Sequence, residues 1–523
     1  MADGRLRFLR GCMAVSILVL LGQLIRWQYL EAHELTLKAH RQRLSVVVKL
    51  GIPRADFLDR NGLPLTDRGI VKQLLSTSGQ KPVDPFSIGR MRAAYFQNPV
   101  CLLPVRSRYA GGHMATHLIG YVNPGDGRGV DGLEEAYDEI LRRGTVEAIA
   151  EIVDGRRRSI PGLGSRFLFL PGNRDENIQL TIGRAMQEKV EKIADARLPK
   201  GAILVMQAKT GEILAMTSRP CYDPSRPQVN LAAGGSPFLN RAITAYQPGS
   251  IFKLVVLAAA LEDQPELFWR IFHDEGRINI GTHTFRCPGG AHGDLTLADA
   301  LAFSCNTTFI RIGLMLGAKR LNAMAERLGL GTPVLSCLRA EDAGELPPAI
   351  GRSRGDVANT AIGQGDVLVT PLQIGQMVAA IANGGLMPAA YVVKSLPGGG
   401  REQPSKMKNA APIRVLAAKT ARIMRGMMAG VVDYGTGRAA ALPQGAGGKT
   451  GTAQTGRVDS GGNPISHAWF AGFAPLANPE YVCVVFVEEG DSGGGIAAPI
   501  FKEVMRAILA GTGTGSAKGT YPN

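Results

Sequence analysis

The chain is poor in everything that would make a disulfide or metal framework. Its seven cysteines, Cys12, Cys101, Cys221, Cys287, Cys305, Cys337 and Cys483, are odd in number, dispersed and without metal-ligand spacing. A disulfide scaffold is excluded, ordinary buried thiols are the reading, and neither a metal site nor a cofactor is expected. The pair His113 and His117 has i, i+4 spacing but lacks the glutamate that a zinc-protease helix needs. The sequence also has no internal repeat, no zinc finger, no aromatic RNA-binding signature and no array of basic helices. Its net charge of +15, from 59 Lys and Arg against 44 Asp and Glu, is therefore not read as nucleic-acid binding. Charge alone leaves anionic lipid and acidic polymers open.

A second long apolar run is missing too, which makes the first one informative. Gly11 to Ile25 is apolar apart from Ser16 and Gln23, and Phe8 to Leu30 gives about 34 Å of helix, enough for a bilayer. Arg10 and Arg26 can snorkel, while Trp27 and Tyr29 suit the interface. No small-x-small cleavage site follows, so a single-pass anchor is expected in place of a signal peptide. The arginines on both sides of the span do not fix its orientation.

At 523 residues, 45% hydrophobic and 20% charged, the chain has room for two or three domains with full cores. Residues 31 to about 45 read as a helical stalk. From Ser45 to about Arg166, short apolar runs alternate with Gly/Pro turns and include the Arg156-Arg157-Arg158 cluster. The pattern changes at Ile178-Gln179-Leu180-Thr181, a strand candidate followed by a helix through Met186 and Val190 to Ala194. Two apolar runs, 202–206 and 213–216, flank Lys209-Thr210-Gly211 as a β-hairpin. Helical patterns begin near Ser250, Leu297, Ala318, Pro371 and Val415, and strands return at 469–473 and 481–487. Strands at both ends with helices between predict an α+β domain whose antiparallel sheet joins its first and last segments. The stretches 339–356 and 396–412 read as long loops, and the tail from Gly511 as disordered.

Chemistry concentrates at Ser250-Ile251-Phe252-Lys253. The turn Tyr246-Gln247-Pro248-Gly249 sets Ser250 at a helix start, and the helix that follows, 254–261, is apolar on every face. Such a helix belongs in a domain centre. Residues three apart share a helical face, so the Ser250 hydroxyl and Lys253 amine can meet. Burial lowers a lysine's affinity for protons, and a neutral amine beside a hydroxyl is a base-and-nucleophile pair. Ser78-x-x-Lys81 and Ser405-x-x-Lys408 repeat the spacing without an apolar helix and read as chance. Downstream come Ser304-Cys305-Asn306, between two helical patterns, and Lys449-Thr450-Gly451-Thr452 after two glycines. Ser-x-x-Lys, Ser-x-Asn and Lys-Thr-Gly in this order are the signature of serine β-lactamases and penicillin-binding proteins. The earlier Lys209-Thr210-Gly211 falls before Ser250 and in a hairpin turn, so only the later copy has the required order.

With these motifs the chain resembles a class B penicillin-binding protein, from the anchor to about residue 510. Arg54–Gly62, His117–Tyr121, Gly132-Leu133-Glu134, Asn240-Arg241-Ala242, Gly363-Gln364-Gly365, Thr370–Gln373 and Gly435-Thr436-Gly437 are family-like blocks, with Ala55 and Gln207 departing from the pattern. The resemblance implies a peptidoglycan D,D-transpeptidase with Ser250 as nucleophile and Lys253 as base. It implies Ser304 and Asn306 as proton relay and orienting amide, Lys449, Thr450 and Thr452 as the carboxylate grip, and Gly451 as the residue that lets the substrate backbone lie flat against the strand. It further implies a short cytoplasmic segment over 1–10, the anchor over 11–30, a pedestal over 31–177, the transpeptidase domain over 178–510 and a tail over 511–523. The catalytic domain would lie outside the plasma membrane, with stem peptides as substrates, β-lactams as inhibitors and a SEDS-type glycan polymerase as partner. A D,D-carboxypeptidase, a β-lactamase, a penicillin sensor and a non-catalytic scaffold are the alternatives. In an extracytoplasmic domain, Cys305 could pair reversibly with Cys287 and disturb the site.

Overall fold

The structure is a computed structural model that describes residues 2–31, 44–51, 54–66, 69–76, 100–109, 112, 114–124, 126–142, 146–152, 165–170, 177–335, 337–348, 353–397, 411–459 and 461–512. The body of the expected stalk, the arginine cluster at 156–158, His113, the Ser78 and Ser405 motifs and most of the 396–412 loop lie outside the described residues.

Helix α1, Ala2–Ile25, runs into a π-helical turn, Arg26–Leu30. Within it Phe8–Tyr29, 22 residues with mean hydropathy 2.0 and none of them buried, is long and apolar enough to cross a membrane, which supports a single-pass anchor. By contacts the chain divides into two units. The first, Met1–Arg54, Ile70–Val105 and Arg142–Arg174, holds α1 and an antiparallel sheet of β1 (Leu44–Gly51), β2 (Val146–Ile152) and β3 (Ser165–Leu170), in that order. The second comprises Ala55–Gly69, Arg106–Leu141 and Asp175–Asn523.

The second unit is built on α2 (Arg184–Arg197), the hairpin β4 (Gly201–Gln207) and β5 (Ile213–Arg219), then helices α3 (Lys253–Asp263), α4 (Leu297–Ala302), α5 (Asn306–Arg327), α6 (Pro371–Ala382) and α7 (Ala418–Asp433). It closes with β6 (Gly447–Val458), β7 (Pro464–Ala474), β8 (Tyr481–Val487) and α8 (Ala498–Thr512). The sheet order is β6-β7-β8-β4-β5, antiparallel throughout, with Val484 opposite Leu204 and Lys449 opposite Ala471. First and last segments are thus joined, as the pattern predicts. The strand at Ile178–Leu180 does not enter this sheet; it pairs in parallel with Phe57–Leu58 and antiparallel with Val393–Ser395.

The apolar runs of the central strands follow from their position. Ala202, Leu204 and Met206 of β4 face a core shared with α3 and α6, while Ile203 and Val205 face a second core shared with α2 and α8. Both faces are covered, so the period-2 alternation of a half-exposed strand disappears. Helix α3 is buried from Lys253 through Leu261, as its composition requires. Two boundaries differ from the sequence reading. Helix α5 begins at Asn306, because the Cys305 sulfur caps it, and it merely kinks at Gly317 (φ 78°). Helix α8 carries an apolar face into the second core and holds the chain helical to Thr512.

Two neighbouring glycines separate backbone strain from crowding. Gly363 and Gly365 have φ of +69° and +76°, but a Cβ on Gly363 would lie 2.0 Å from Gly249 O, whereas one on Gly365 meets only Asn359 Cβ at 3.6 Å. Gly365→Ala is therefore expected to lose the left-handed backbone preference, about 1–2 kcal/mol. Gly363→Ala should lose clearly more, read as a larger fall in the urea midpoint at unchanged slope.

Candidate active site

Ser250 sits in a single 3-10 turn, Gly249–Phe252, that leads into α3. Strand β7 and the segment at Gly363 hold this turn in place. Trp469 Nε1 donates to Gln247 O at 3.0 Å, and Gly249 N–H donates to Gly363 O at 2.9 Å. A Cβ on Gly249 (φ +53°) would stand 2.4 Å from Thr452 O, and one on Gly451 would stand 2.8 Å from Pro248 O. The room kept free by Gly451 is thus occupied by the protein's own turn, whereas the sequence reading reserved it for substrate backbone.

Lys253, one residue into α3, is wholly buried. Its amine donates to Ser304 O at 2.6 Å, Asn306 Oδ1 at 2.7 Å and Ser304 Oγ at 3.1 Å, which uses all three ammonium donors. Among the described residues no hydrogen bond joins it to Ser250 Oγ. The helical spacing brings the two residues to one face, but the amine is turned to the next motif. Burial pulls its pKa down to about 7, partly offset by Cys305 and Cys287. Asn306 is fixed in turn by its Nδ2, which donates to Arg286 O at 2.7 Å.

Lys449 reaches the same hydroxyl from the other side. It is fully buried and donates to Ser304 Oγ at 3.0 Å and to Thr450 O at 3.0 Å. Burial, and then the neighbouring Lys253, lower its pKa well below the ordinary value. Ser304 Oγ accordingly lies within hydrogen-bond reach of two amines. A hydroxyl has one proton to give and two lone pairs to offer. It can pass a proton toward one amine only while that amine is neutral. The turn that presents it is unusual: Ser304 has φ +56°, a left-handed conformation in a non-glycine residue, between α4 and α5.

Thr450 and Thr452 are next-but-one neighbours on β6. Thr450 is buried, its Oγ1 2.7 Å from Thr436 Oγ1, and Thr452 is exposed, its Oγ1 accepting from Gly493 N at 3.4 Å. Gln364 Nε2 reaches Thr452 O at 3.5 Å, so that carbonyl points away from β7. In a strand the N–H and C=O of one residue point the same way, which turns the Thr452 N–H to the open edge beside Ser250.

The structure therefore brings Lys253, Ser304, Asn306, Lys449 and Thr450 into one hydrogen-bonded set, with Ser250, Gly451 and Thr452 at its rim. Thr436 and Gln364 join it, and sequence reasoning had flagged their Gly-flanked blocks without assigning them a task. Lys209, in the earlier Lys-Thr-Gly, is exposed and reaches Asn478 Oδ1 at 3.3 Å. His117 is buried against Pro237 O at 2.7 Å, and burial lowers its pKa to about 4. Cys287 and Cys305 are free thiols with sulfurs 3.6 Å apart.

Comparisons with known proteins bear on the family and the fold. The profile of the penicillin binding protein transpeptidase domain matches residues 201–506. Stage V sporulation protein D of Bacillus subtilis is 33% identical over 420 residues, 77% of this chain and 63% of that protein, so the match spans less than two thirds of that relative. Peptidoglycan D,D-transpeptidase PbpA of Mycolicibacterium smegmatis is 31% identical over 80% of this chain and 85% of its own length. Among solved structures, a chain of a peptidoglycan synthase complex described as coordinating polymerization and crosslinking superposes with a TM-score of 0.72 at 27% identity, covering 99% of this chain and 100% of that one. Penicillin binding protein 3 of Mycobacterium tuberculosis, complexed with ampicillin, gives 0.66 at 25% identity, over 90% of this chain and 98% of that one.

Asn306→Ala removes an acceptor from the buried Lys253 and leaves Arg286 O without its donor. It is expected to destabilise the fold by about 1–3 kcal/mol, whereas Asn306→Asp, which keeps an acceptor beside the amine, should raise the Lys253 pKa. Chemical denaturation and the pH dependence of serine acylation check the two effects.

Proposed function

The chain belongs to the penicillin-binding protein transpeptidase family, and from that membership we propose that it cross-links peptidoglycan through an acyl-enzyme on Ser250. The observation that carries the reading is the single hydroxyl of Ser304, held between two buried lysine amines beside the Ser250 turn. Relatives bearing the name D,D-transpeptidase support the reaction class.

In the proposed first step, Lys253 in its neutral form exchanges one of its bonds to Ser304 for the Ser250 hydroxyl and takes that proton. Ser250 Oγ attacks the carbonyl of the penultimate D-alanine of a stem peptide. The Ser250 and Thr452 N–H groups face the developing oxyanion, each such donor being worth roughly 10²–10³ in rate. Ser304 passes the proton to the departing amine, and the terminal D-alanine leaves. Lys449, Thr450 and Thr452 hold its carboxylate, with Thr436 orienting the Thr450 hydroxyl. In the second step an amine from a neighbouring stem attacks the ester, gives up its proton by the same relay and restores Ser250. A β-lactam carbonyl enters the first step and stalls before the second.

The apolar helix at the N-terminus suits a plasma-membrane anchor with the N-terminus cytoplasmic and both units outside, where peptidoglycan is built. A membrane-embedded glycan polymerase of the SEDS type is the proposed partner, in keeping with the synthase complex to which the fold is similar.

Intact mass of the full chain after incubation with benzylpenicillin tests the nucleophile. One persistent drug adduct is expected on the parent and none on Ser250→Ala. An adduct on both variants would sink the assignment, and one that clears within seconds would point to a hydrolase. The pH profile tests the base. With the Lys253 pKa at about 7, the neutral amine is scarce in acid and predominates above that value. The acylation rate is expected to rise about tenfold per pH unit between roughly pH 5 and 6 and to flatten above about 8. A rate that falls as pH rises through 7 would exclude Lys253 as the base.

A further inference from the structure

Between α3 and α4 the chain makes an excursion, Phe272–Leu295, of two short antiparallel pairs, 272–274 with 293–295 and 277–280 with 283–286. Where it meets the start of α5, Asp274, Cys287, His292 and Cys305 each bring one donor atom to a common point, all within 4.8 Å of one another. None of the four has a task in the acyl transfer described above. Asp274 and Cys305 are 1% and 0% exposed, and Cys287 is 7% exposed, so the point is closed except past His292.

We propose that this cluster is a structural Zn²⁺ site, with two thiolates, one imidazole and one carboxylate as ligands. The separations already suit tetrahedral zinc. Zinc–sulfur bonds of ~2.3 Å put two sulfurs ~3.8 Å apart, and a sulfur and a carboxylate oxygen ~3.5 Å apart. The Cys287 and Cys305 sulfurs are 3.6 Å apart, and Cys287 Sγ is 3.5 Å from Asp274 Oδ1. His292 Nδ1 lies 2.5 Å from Asp274 Oδ2, a hydrogen bond that opens when Nδ1 turns to the ion and Oδ1 ligates. Two sulfurs and an imidazole select a borderline-soft ion over magnesium or calcium.

The surroundings support such ligands. Thr307 Oγ1 and Gly276 N–H hold Asp274 Oδ1 at 2.7 and 2.8 Å, while Asn306 and Thr307 N–H point at Cys287 Sγ from 3.2 and 3.5 Å. On ligation the two thiols release to solvent whatever protons they still carry, with no change of oxidation state. A disulfide would use the sulfurs alone and leave the convergence of Asp274 and His292 without purpose. Because Cys305 lies between Ser304 and Asn306, and Asn306 is bonded to Arg286 O beside Cys287, the ion would lock the left-handed Ser304 turn to the excursion behind it.

The test is the metal content of the full chain, purified in detergent without chelator. Elemental analysis should find about one zinc per chain in the parent and less than about a fifth of that in Cys287→Ser and His292→Gln. A cysteine variant can misfold, so the parent is also stripped with chelator and titrated with Co²⁺. Tetrahedral cobalt absorption with a thiolate charge-transfer band is expected, saturating at one equivalent and discharged by Zn²⁺. Two results would overturn the proposal: a parent that takes up neither Zn²⁺ nor Co²⁺ at equimolar addition, or unreduced protein in which Cys287 and Cys305 are quantitatively disulfide-linked. The metal readout is independent of penicillin acylation, so it fails or holds apart from the function proposed above.

Discussion

The placing of two lysine amines against one serine hydroxyl, out of water, is the constraint on which the rest of the second unit depends. An ammonium group buried alone is expensive, and two beside one another are more so. The fold meets that difficulty with acceptors at 2.6–3.1 Å: the carbonyls of Ser304 and Thr450, the amide oxygen of Asn306 and the shared hydroxyl of Ser304. Each acceptor must then be fixed by something else. Asn306 is fixed by Arg286 O, Thr450 by Thr436, and the Ser304 turn by hydrogen bonds into the end of α4. The depressed proton affinity of both lysines is what remains after these contacts, and it gives the site a neutral amine near physiological pH.

Close backbone approach is the second theme. Gly249, Gly363 and Gly451 each meet a carbonyl oxygen at a distance no side chain tolerates. Together they let the Ser250 turn, the segment after residue 361 and the edge strand β6 come within one backbone thickness of each other. The open edge of β6 then lies beside the Ser250 turn, so the strand's exposed groups and the serine hydroxyl share one small volume.

Much of this was legible from residue type and spacing. The apolar run after Lys253 announced a buried helix, and the continuous apolar runs at 202–206 and 481–487 announced strands covered on both faces. The order of the three motifs pointed to one candidate site before any coordinates. What was not legible depends on tertiary direction. Spacing put Ser250 and Lys253 on one face but could not tell that the amine turns to Ser304 and Asn306. It could not tell that the volume above Gly451 is filled by Pro248, because those residues meet only when β6 docks on the turn. Thr436 and Gln364 carried no chemical signal of their own. The cluster of Asp274, Cys287, His292 and Cys305 was missed because its members run from the excursion at 272–295 to the start of α5, with none of the short ligand spacings by which such groups are recognised.

The strand order has a consequence for how the protein is made. Gly201 of β4 pairs with Val487 of β8, and β8 in turn carries the β7–β6 hairpin on its other edge. A chain emerging from its N-terminus has therefore completed the β4–β5 hairpin long before the partner for the inner edge exists. Until the last strands arrive, that edge and the apolar helix α3 stay uncovered in the growing polypeptide. The interval is a window for mispairing between neighbouring nascent chains. Biogenesis of this protein is thus expected to lean on chaperones that shield nascent chains more heavily than the stability of the finished fold would suggest.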